Sequence, residues 1–252
     1  MKTCITAALI FLFLTCQLAA QKKDTVLFVP GANQLQSLLL SDYTNKYDFF
    51  SVKDGAETLT GSLEDNFTTY GTGKNKQALR TCRIVFGTNT ILDSGLCELN
   101  GLKPVYHRSV QTKKILHLDF SNNIVSGDVV LLSDDNKKEQ IHCETAVPLF
   151  DSYYEDIIAK SLKFEPGTVF RFPEYIYERG GIVWSWGEIT GSAEMNDAGN
   201  KITACTIRFY ETNPAKEIIR TTVYQVNEQN REIISREYVT ANGRTVMRKR
   251  VV

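Results

Sequence analysis

The sequence lacks the motifs by which common enzymes and nucleotide-binding proteins are recognised. GxSxG, P-loop, GxGxxG and HExxH patterns are absent from its 252 residues, so hydrolase, nucleotide-binding and zinc-protease chemistry has no support. The chain also lacks an excess of either charge, with 29 basic and 29 acidic residues. Such a balance creates no field to attract nucleic acid or an anionic membrane. We therefore expect no enzyme, no cofactor and no nucleic-acid partner.

Cysteine and histidine are scarce, with six and three residues respectively. No CxxC pair occurs, so zinc and thioredoxin-type sites have no support. Cys82 and Cys97 flank a turn near residues 87–90 and are a candidate disulfide; buried free thiols are the alternative. The histidines show no spacing typical of metal ligands, and we expect no metal site. They are His107, His117 and His142.

Long apolar runs are missing beyond the N-terminus. A membrane helix needs about 20 apolar residues, so we expect no integral membrane protein. Residues 1–20 fit a secretory signal peptide, with Lys2, an apolar run over Ile5–Leu14 and Leu18-Ala19-Ala20 before the cleavage point. The alternative is a lipid anchor at Cys16, although Thr15 stands where a smaller residue is usual. We predict ordinary cleavage and export.

The remaining chain, residues 21–252, is predicted to be a single β-rich domain. Without Lys2, 28 basic residues face 29 acidic ones, a net charge of −1. Hydrophobic residues make up 42% of the chain, which is enough for a core and disfavours disorder. All-β sandwiches and barrels often reach this length as one domain.

One segment departs from the strand pattern. Ser152 to Glu155 fits a capping box, Pro166-Gly167 ends the segment, and apolar side chains between them recur at the i, i+3, i+4 spacing of one buried stripe. About a dozen antiparallel strands surround this helix in sequence. The sequence therefore predicts a mainly β fold: a curved antiparallel sheet, as a half-barrel or open barrel, with one principal helix at about 151–163 packed on its concave side.

The hairpin after this helix is rich in aromatic residues on both faces. Strands at 169–177 and 182–192 are joined through Arg179-Gly180-Gly181, and a two-residue Gly180-Gly181 loop sets Tyr177 opposite Trp184 and Tyr175 opposite Trp186. A half-solvated hairpin normally alternates apolar with polar residues, so both of its sides need cover. By the same logic, an Asn242-Gly243 turn sets Glu237 opposite Arg248 in the final hairpin.

Two interpretations of the aromatic face stay open. The aromatic side chains pack beneath the helix as core, or they line a concave apolar pocket that the helix partly covers. In the second case the ligand-binding residues are Tyr153, Tyr154, Ile157, Ile158, Tyr175, Tyr177, Trp184 and Trp186.

The layout resembles the exported half-barrel proteins of bacterial envelopes. The resemblance is carried by the signal ending in Ala19-Ala20-Gln21, the long meander, the helix announced by the run from Ala146 to Tyr154, and the closing strands. Such proteins are similar in architecture to the periplasmic lipoprotein carriers of the LolA/LolB type and to relatives of unknown function. The resemblance implies a curved sheet wrapped partly around a helix, and a place in the periplasm or cell envelope of a Gram-negative bacterium or in the medium.

From these observations we expect an exported, non-enzymatic protein that binds an apolar ligand, such as a lipid or acyl chain, in the concavity of the sheet. The alternative is a structural or protein-interaction component of the cell envelope without a small ligand. A hydrolase or isomerase acting on a bound lipid is the third hypothesis, and it lacks a recognisable nucleophile.

Overall fold

Alternation of apolar and polar side chains produces strands along most of the chain. The computed structural model describes residues 25–31, 34–121, 123–197, 199–212, 217–241 and 243–250. The predicted signal peptide with Cys16 and the turn residue Asn242 lie outside these ranges. Within them are sixteen strands: β1 Val26–Leu27, β2 Tyr43–Lys53, β3 Ala56–Tyr70, β4 Gln77–Phe86, β5 Asn89–Glu98, β6 Lys103–Val110, β7 Lys114–Ser121, β8 Ile124–Leu131, β9 Lys137–Glu144, β10 Phe150–Asp151, β11 Val169–Ile176, β12 Gly181–Asp197, β13 Asn200–Thr212, β14 Ile218–Asn227, β15 Ile233–Thr240 and β16 Gly243–Lys249.

The strands form one open sheet in the order β1-β11-β12-β13-β14-β15-β16-β2-β3-β4-β5-β6-β7-β8-β9, and β10 pairs beside β1 on β11. The short β1 and β10 run parallel to β11, while the remaining neighbours are antiparallel. Two meanders, β11 to β16 and β2 to β9, meet where β16 pairs with β2. The predicted mainly β fold with one helix is confirmed.

The helix is shorter than the predicted segment. A 3-10 turn over Ser152–Tyr154 leads into helix α1, Glu155–Ser161, the one α-helix of the described residues. Asp151, rather than Ser152, caps the turn, because its Oδ1 accepts the Tyr153 N–H at 3.1 Å. The predicted capping box is wrong for this reason. No helix in these residue ranges has the length and apolar character needed to span a bilayer.

Helix α1 ends before the Pro166-Gly167 stop. Leu162 takes extended backbone angles, φ −66° and ψ 149°, and its side chain is fully buried. Arg231 donates from Nη1 to the carbonyl oxygens of Leu162 at 2.6 Å and Lys160 at 3.4 Å. A tertiary contact from a distant loop therefore satisfies carbonyls that a helix end leaves without partners.

Two strand registers differ from the predictions. The loop after β11 is a 3-10 turn, Tyr177–Arg179, followed by Gly180 in the left-handed region at φ 73°. Because this loop uses four residues instead of two glycines, Tyr175 pairs with Ile182 rather than Trp186. In the final hairpin Thr240 pairs with Gly243, so Glu237 faces Val246 rather than Arg248.

The candidate disulfide is also wrong, because Cys82 and Cys97 are both free and buried. Cys82 pairs in register with Asp93, whereas Cys97 pairs with Ala78. The two cysteines therefore sit about four residues apart along neighbouring strands, roughly 13 Å at the rise of a strand. That separation exceeds what a disulfide can bridge. The buried free thiols of the alternative interpretation are what the structure contains.

The two ends of the sheet overlap. Tyr175 of β11 points away from α1, yet it is only 5% exposed, because it packs in a second apolar cluster with Leu116 and Leu118 of β7. Lys114 at the start of β7 binds Glu178, with 2.7 Å between Nζ and Oε1. We call the face of the sheet that packs on α1 its inner face and the opposite face its outer face. The inner face of β7 and β8 therefore covers part of the outer face of β11.

Candidate functional site

The space between α1 and the sheet is filled. Tyr154, Ile157 and Ile158 have no exposed surface and share one core cluster with Phe170 and Phe172 of β11. The residues on the sheet side of this contact come from the inner face of the hairpin, opposite to the face that carries Trp184 and Trp186. These helix residues therefore pack as core, and they do not line a pocket with the two tryptophans.

An open cleft of about 570 Å³ lies instead at the N-terminal end of α1. It is bounded by the turn before the helix, by β3 to β5 on one side and by β11, β13, β14 and β15 on the other. Most of its lining residues are charged, and the rest are apolar or aromatic apart from Ser152. They are Leu63, Arg80, Cys82, Ile84, Asp93, Ser152, Tyr153, Glu155, Asp156, Ile176, Glu178, Arg179, Glu211, Arg220, Arg236 and Tyr238.

A buried ionic cluster lies where the cleft meets the core. Arg80, 4% exposed, donates from Nε and Nη2 to the two carboxylate oxygens of Asp65 at 2.9 and 3.0 Å. The same guanidinium donates from Nη1 to Asp156 Oδ1 at 2.7 Å and to the Tyr153 carbonyl at 2.5 Å. Burial opposes the charge on Arg80, but Asp156 and Asp65 outweigh it and raise its pKa. The cluster therefore ties the first turn of α1 to β3 and β4.

Lys160 of α1 adds another cation to this cluster. Its side chain is 3% exposed, and Nζ lies 3.5 Å from the centre of the Tyr43 ring. Burial lowers the pKa of Lys160 to about 8, against the opposing effect of Asp65 and Asp156. Lys160 is therefore still largely protonated at neutral pH.

Arg236 and Arg220 form the opposite wall. Arg236 lies between tyrosine rings, with Cζ 4.7 Å from the centre of Tyr238 and 5.9 Å from that of Tyr224. Arg220 forms ion pairs with Glu211, 3.1 Å from Nε to Oε2, and with Glu155, 3.5 Å from Nη2 to Oε2. The two guanidinium groups are thus held by tyrosine rings on β14 and β15 and by carboxylates on β13 and α1.

A smaller cavity of about 180 Å³ adjoins the cleft and shares Asp93, Ser152, Tyr153 and Glu178 with it. His107 lies on its wall, stacked on Tyr153 with 4.6 Å between ring centres. Asp151 Oδ2 is 3.1 Å from Nδ1 of His107, and Asp93 Oδ1 is 3.9 Å from Nε2. Burial alone would lower the pKa of His107, but these carboxylates overcome it and raise the pKa to about 10. His107 is therefore a cation rather than a general base at neutral pH.

Glu174 of β11 is buried on the inner face between the cleft and the core, with 2% exposure. It accepts a hydrogen bond from Ser185 on its Oε1, while its Oε2 has no hydrogen-bond partner among the described residues. Burial, and then the Glu155 carboxylate, raise the pKa of Glu174 to about 8. Glu174 is therefore largely neutral at pH 7.

Comparison with known families assigns the chain by sequence. A family model described as "Protein of unknown function (DUF3108)" matches residues 42–248, which is well over half of the chain and includes the cleft residues from Leu63 to Tyr238. The chain belongs to this family. No curated protein matches this DUF3108 chain, so no characterised activity comes with the assignment.

Two solved structures are similar to this DUF3108 protein. One is a protein from Bacteroides fragilis described as exported, with a YmcC-like fold; identity is 8%, the TM-score is 0.40, and 88% of this chain and 96% of that chain are covered. The other is described as the hypothetical lipoprotein YmcC from Escherichia coli K12; identity is 9%, the TM-score is 0.29, and 81% and 86% are covered. The resemblance to the LolA/LolB-type carriers stays a prediction.

The structure separates the eight residues predicted to bind a ligand. Tyr154, Ile157 and Ile158 belong to the filled core, and Tyr153 lines both cavities. Tyr175 and Tyr177 line the smaller cavity beside the sheet overlap. The two tryptophans lie on the outer face: Trp184 is 44% exposed, and Trp186 stacks on Tyr210 at 4.2 Å. These residues do not form one pocket.

The charged residues of the cleft were not foreseen from the sequence. Asp156 and Lys160 lie four residues apart in α1, a spacing that in a sequence indicates a solvent-exposed ion pair, yet both side chains are buried. Arg80 and Arg236 are ordinary polar positions in alternating strands. Their inward orientation was readable from the alternation with buried neighbours, but their convergence depends on the pairing of β16 with β2, which no local pattern encodes.

Among the described residues, no group of three or more His, Cys, Asp and Glu side chains is arranged to hold a metal ion.

Proposed function

We propose that this protein is a non-enzymatic binding protein whose cleft takes a small amphipathic molecule. The observation that supports this is the cleft of about 570 Å³ at the N-terminal end of α1, a volume within the usual range of about 300–1,000 Å³ for small-molecule sites. Its lining joins an apolar wall, formed by Leu63 and Ile84, to charged side chains, and Ile176 lies on the side of Arg220 and Arg236.

The ligand class follows from this lining. A purely apolar lipid would remove water from the arginines and carboxylates without replacing their hydrogen bonds, which is costly. An amphipathic molecule can contact the apolar side chains with its tail and form hydrogen bonds to the charged side chains with its head group. We therefore propose that the acyl chain expected from the sequence binds in the cleft, and only together with a polar head group.

The non-enzymatic part of the proposal is supported by the state of the groups that face the cleft. Cys82 is the thiol on its wall, and burial raises the pKa of that thiol, which disfavours the nucleophilic thiolate. His107 is protonated and held between carboxylates. A protonated histidine and a buried neutral thiol do not form the nucleophile and base of a hydrolase.

We also propose that the protein is exported to the periplasm or cell envelope of a Gram-negative bacterium. The features that support it are the basic residue, apolar run and small-residue cleavage site of residues 1–20. We expect a tagged full-length chain to appear in the periplasmic fraction of its host. Retention in the membrane fraction that is abolished by Cys16→Ala would instead support the lipid anchor, and cytoplasmic recovery would contradict export.

Binding can be tested with octanol by isothermal titration calorimetry on the chain without residues 1–20. We expect saturable binding that Ile84→Trp, which fills the apolar wall of the cleft, weakens at least tenfold. Leu59→Trp adds the same ring at a side chain that is 61% exposed and should leave binding unchanged. Absence of binding to wild-type protein, together with a ligand-free mass in native mass spectrometry after gentle extraction from the host, would contradict the proposed function.

A protein-interaction role is the second candidate. It is favoured by exposed apolar residues on the outer face, where Trp184 is 44%, Ile182 43% and Ile218 52% exposed. A pull-down from envelope extract tests it: capture of a partner that is lost with Trp184→Ala but kept with Ile84→Trp would favour this role over the cleft.

A further inference from the structure

Arg236 has donors that the protein leaves without acceptors. Its Nε is buried and makes no hydrogen bond with any described residue. Its ion pair with Asp156 spans 3.9 Å between Nη1 and Oδ2, beyond hydrogen-bonding distance. A guanidinium carries five N–H donors in a fixed fork, and leaving such donors buried and unpaired costs more than an ordinary missing bond. Nε itself is closed to solvent, but the side chain lines the cleft and is 14% exposed, so an acceptor in the cleft would bind the terminal nitrogens of the fork.

The charges around Arg236 do not balance. Two carboxylates, Asp65 and Asp156, face three cations, Arg80, Arg236 and Lys160. The Glu155 carboxylate also acts on Arg236, but it is paired with Arg220. Asp156 already binds Arg80 through both of its oxygens, at 2.7 Å and 2.5 Å, so its capacity for Arg236 is small. One positive charge is therefore in excess at the end of the cleft that Arg236 occupies.

The other cations of the cleft each have a carboxylate within ion-pair distance, although the buried Nε of Arg220, like that of Arg236, makes no hydrogen bond with the described residues. Arg220 and Arg179 both bind Glu211, and Arg220 also pairs with Glu155. Lys114 binds Glu178. Asp93 of the cleft and Asp151 of the adjoining smaller cavity share His107, which leaves that side negative. The cleft is thus polarised, with its uncompensated cation at Arg236.

We propose that the ligand of the cleft is an amphipathic anion, a carboxylate or phosphate monoester whose head group accepts hydrogen bonds from the Arg236 guanidinium; this rests on the proposed function. Arginine suits such a ligand because its planar fork matches carboxylate and phosphate oxygens in pairs. Tyr224 and Tyr238 hold the guanidinium between their rings, which fixes the direction of the fork before the ligand arrives. The apolar wall at Leu63 and Ile84 then receives the tail.

A series of ligands with one tail and different head groups separates this inference from the proposed function. Octanol, octanoate, octyl phosphate and octylammonium are titrated below their aggregation concentrations into wild-type protein. We expect octanoate or octyl phosphate to bind at least tenfold more tightly than octanol, as charge-assisted hydrogen bonds permit, and octylammonium to bind no more tightly than octanol. The better of the two anions identifies the head-group class.

Variants assign the preference to Arg236. Arg236→Gln should abolish the preference, so that octanoate and octyl phosphate bind no more tightly than octanol to the same variant, and Arg236→Lys should retain part of the preference through its charge. Arg244→Gln, which removes an exposed arginine paired with Glu237 on the next strand, is the matched control and should change nothing. Thermal melting verifies that each variant folds.

The possible results separate the anion site, the role of Arg236 and the proposed function. Equal binding of all four compounds, or tighter binding of octylammonium, would overturn the anion site and leave the proposed function standing. An anion preference that survives Arg236→Gln in a folded protein would overturn the role of Arg236. Failure of every compound, octanol included, would contradict the proposed function itself.

Discussion

At the scale of single residues, Asp156 is the side chain on which the charged cluster depends. It is 3% exposed and binds Arg80 from the first turn of α1. The sequence correctly predicted that Asp156 lies in a helix. Its burial was not predictable, because the apolar stripe of the same helix gave no reason to bury a carboxylate. The cost of burying the Asp156 carboxylate is offset because Arg80 on β4, a strand distant in sequence, donates hydrogen bonds to it.

We predict that Asp156→Asn lowers the free energy of unfolding by about 3–5 kcal/mol, because it leaves Arg80, Arg236 and Lys160 together with one carboxylate. Asp119→Asn is the matched control. Its side chain is 55% exposed and lies 3.6 Å from His117, so it should change stability by less than about 0.5 kcal/mol. Urea denaturation measures both, and equal effects would contradict the cluster's role.

Glu174 makes stability depend on pH. Its folded pKa of about 8 lies above its unfolded value of about 4.3, so the folded state holds a proton that the unfolded state has lost. The stabilisation is fully present below pH 4 and is lost as the pH rises towards 8.

We therefore predict that wild-type protein loses stability relative to Glu174→Gln between about pH 5 and 8, by at most about 1.4 kcal/mol for each pH unit. Gln keeps the hydrogen bond with Ser185 but cannot ionise. Denaturant unfolding at several pH values gives the comparison. Parallel curves for the two proteins would show that Glu174, with Glu155, Asp151 and Arg220 around it, does not titrate in this range.

At the scale of elements, α1 is part of the core rather than a movable cover. Ile158 is fully buried beside Phe170 and Phe172. We predict that Ile158→Ala costs about 2–5 kcal/mol of stability, whereas Leu39→Ala, at a side chain 60% exposed, stays within about 0.5 kcal/mol. Chemical denaturation of both variants is the measurement. A small loss at Ile158 would mean that the helix is loosely packed and that space exists beneath it.

Elements were more predictable than their pairing. The apolar stripe of α1 was correctly read from the sequence, since it depends on neighbours along the chain. Both hairpin registers tested were wrong, because the number of turn residues sets the register, and the 3-10 turn at Tyr177–Arg179 has no strong sequence signal. The register of β11 and β12 is shifted by four residues from the predicted one, an even number that keeps Trp184 and Trp186 on one face. The prediction was wrong in placing that face towards the helix.

At the scale of the whole molecule, no disulfide connects Cys82, Cys97, Cys143 and Cys205. We predict that a reducing agent leaves the melting temperature of the chain without residues 1–20 unchanged. The comparison is a thermal melt with and without dithiothreitol. A fall of several degrees on reduction would show that a disulfide forms in solution.

The cleft could not be predicted from the sequence because it depends on how the two meanders are arranged in the whole molecule. Its walls come from both meanders, with Arg80 on β4 and Arg236 on β15, and they face each other only through the β16–β2 pair. Sequence periodicity reports which face of a strand is buried, but it carries no information about which distant strand lies opposite.

The β16–β2 pair also has a consequence for the time order of folding. Residues 244–249 pair with residues 47–52, so the seam that unites the two meanders needs the last strand to be synthesised. Until then β2 is an unpaired strand edge during the synthesis of nearly 200 residues, at roughly 5–20 residues per second. A nascent chain therefore carries an exposed edge for on the order of 10 seconds or more, a period in which a holding chaperone would protect it from aggregation.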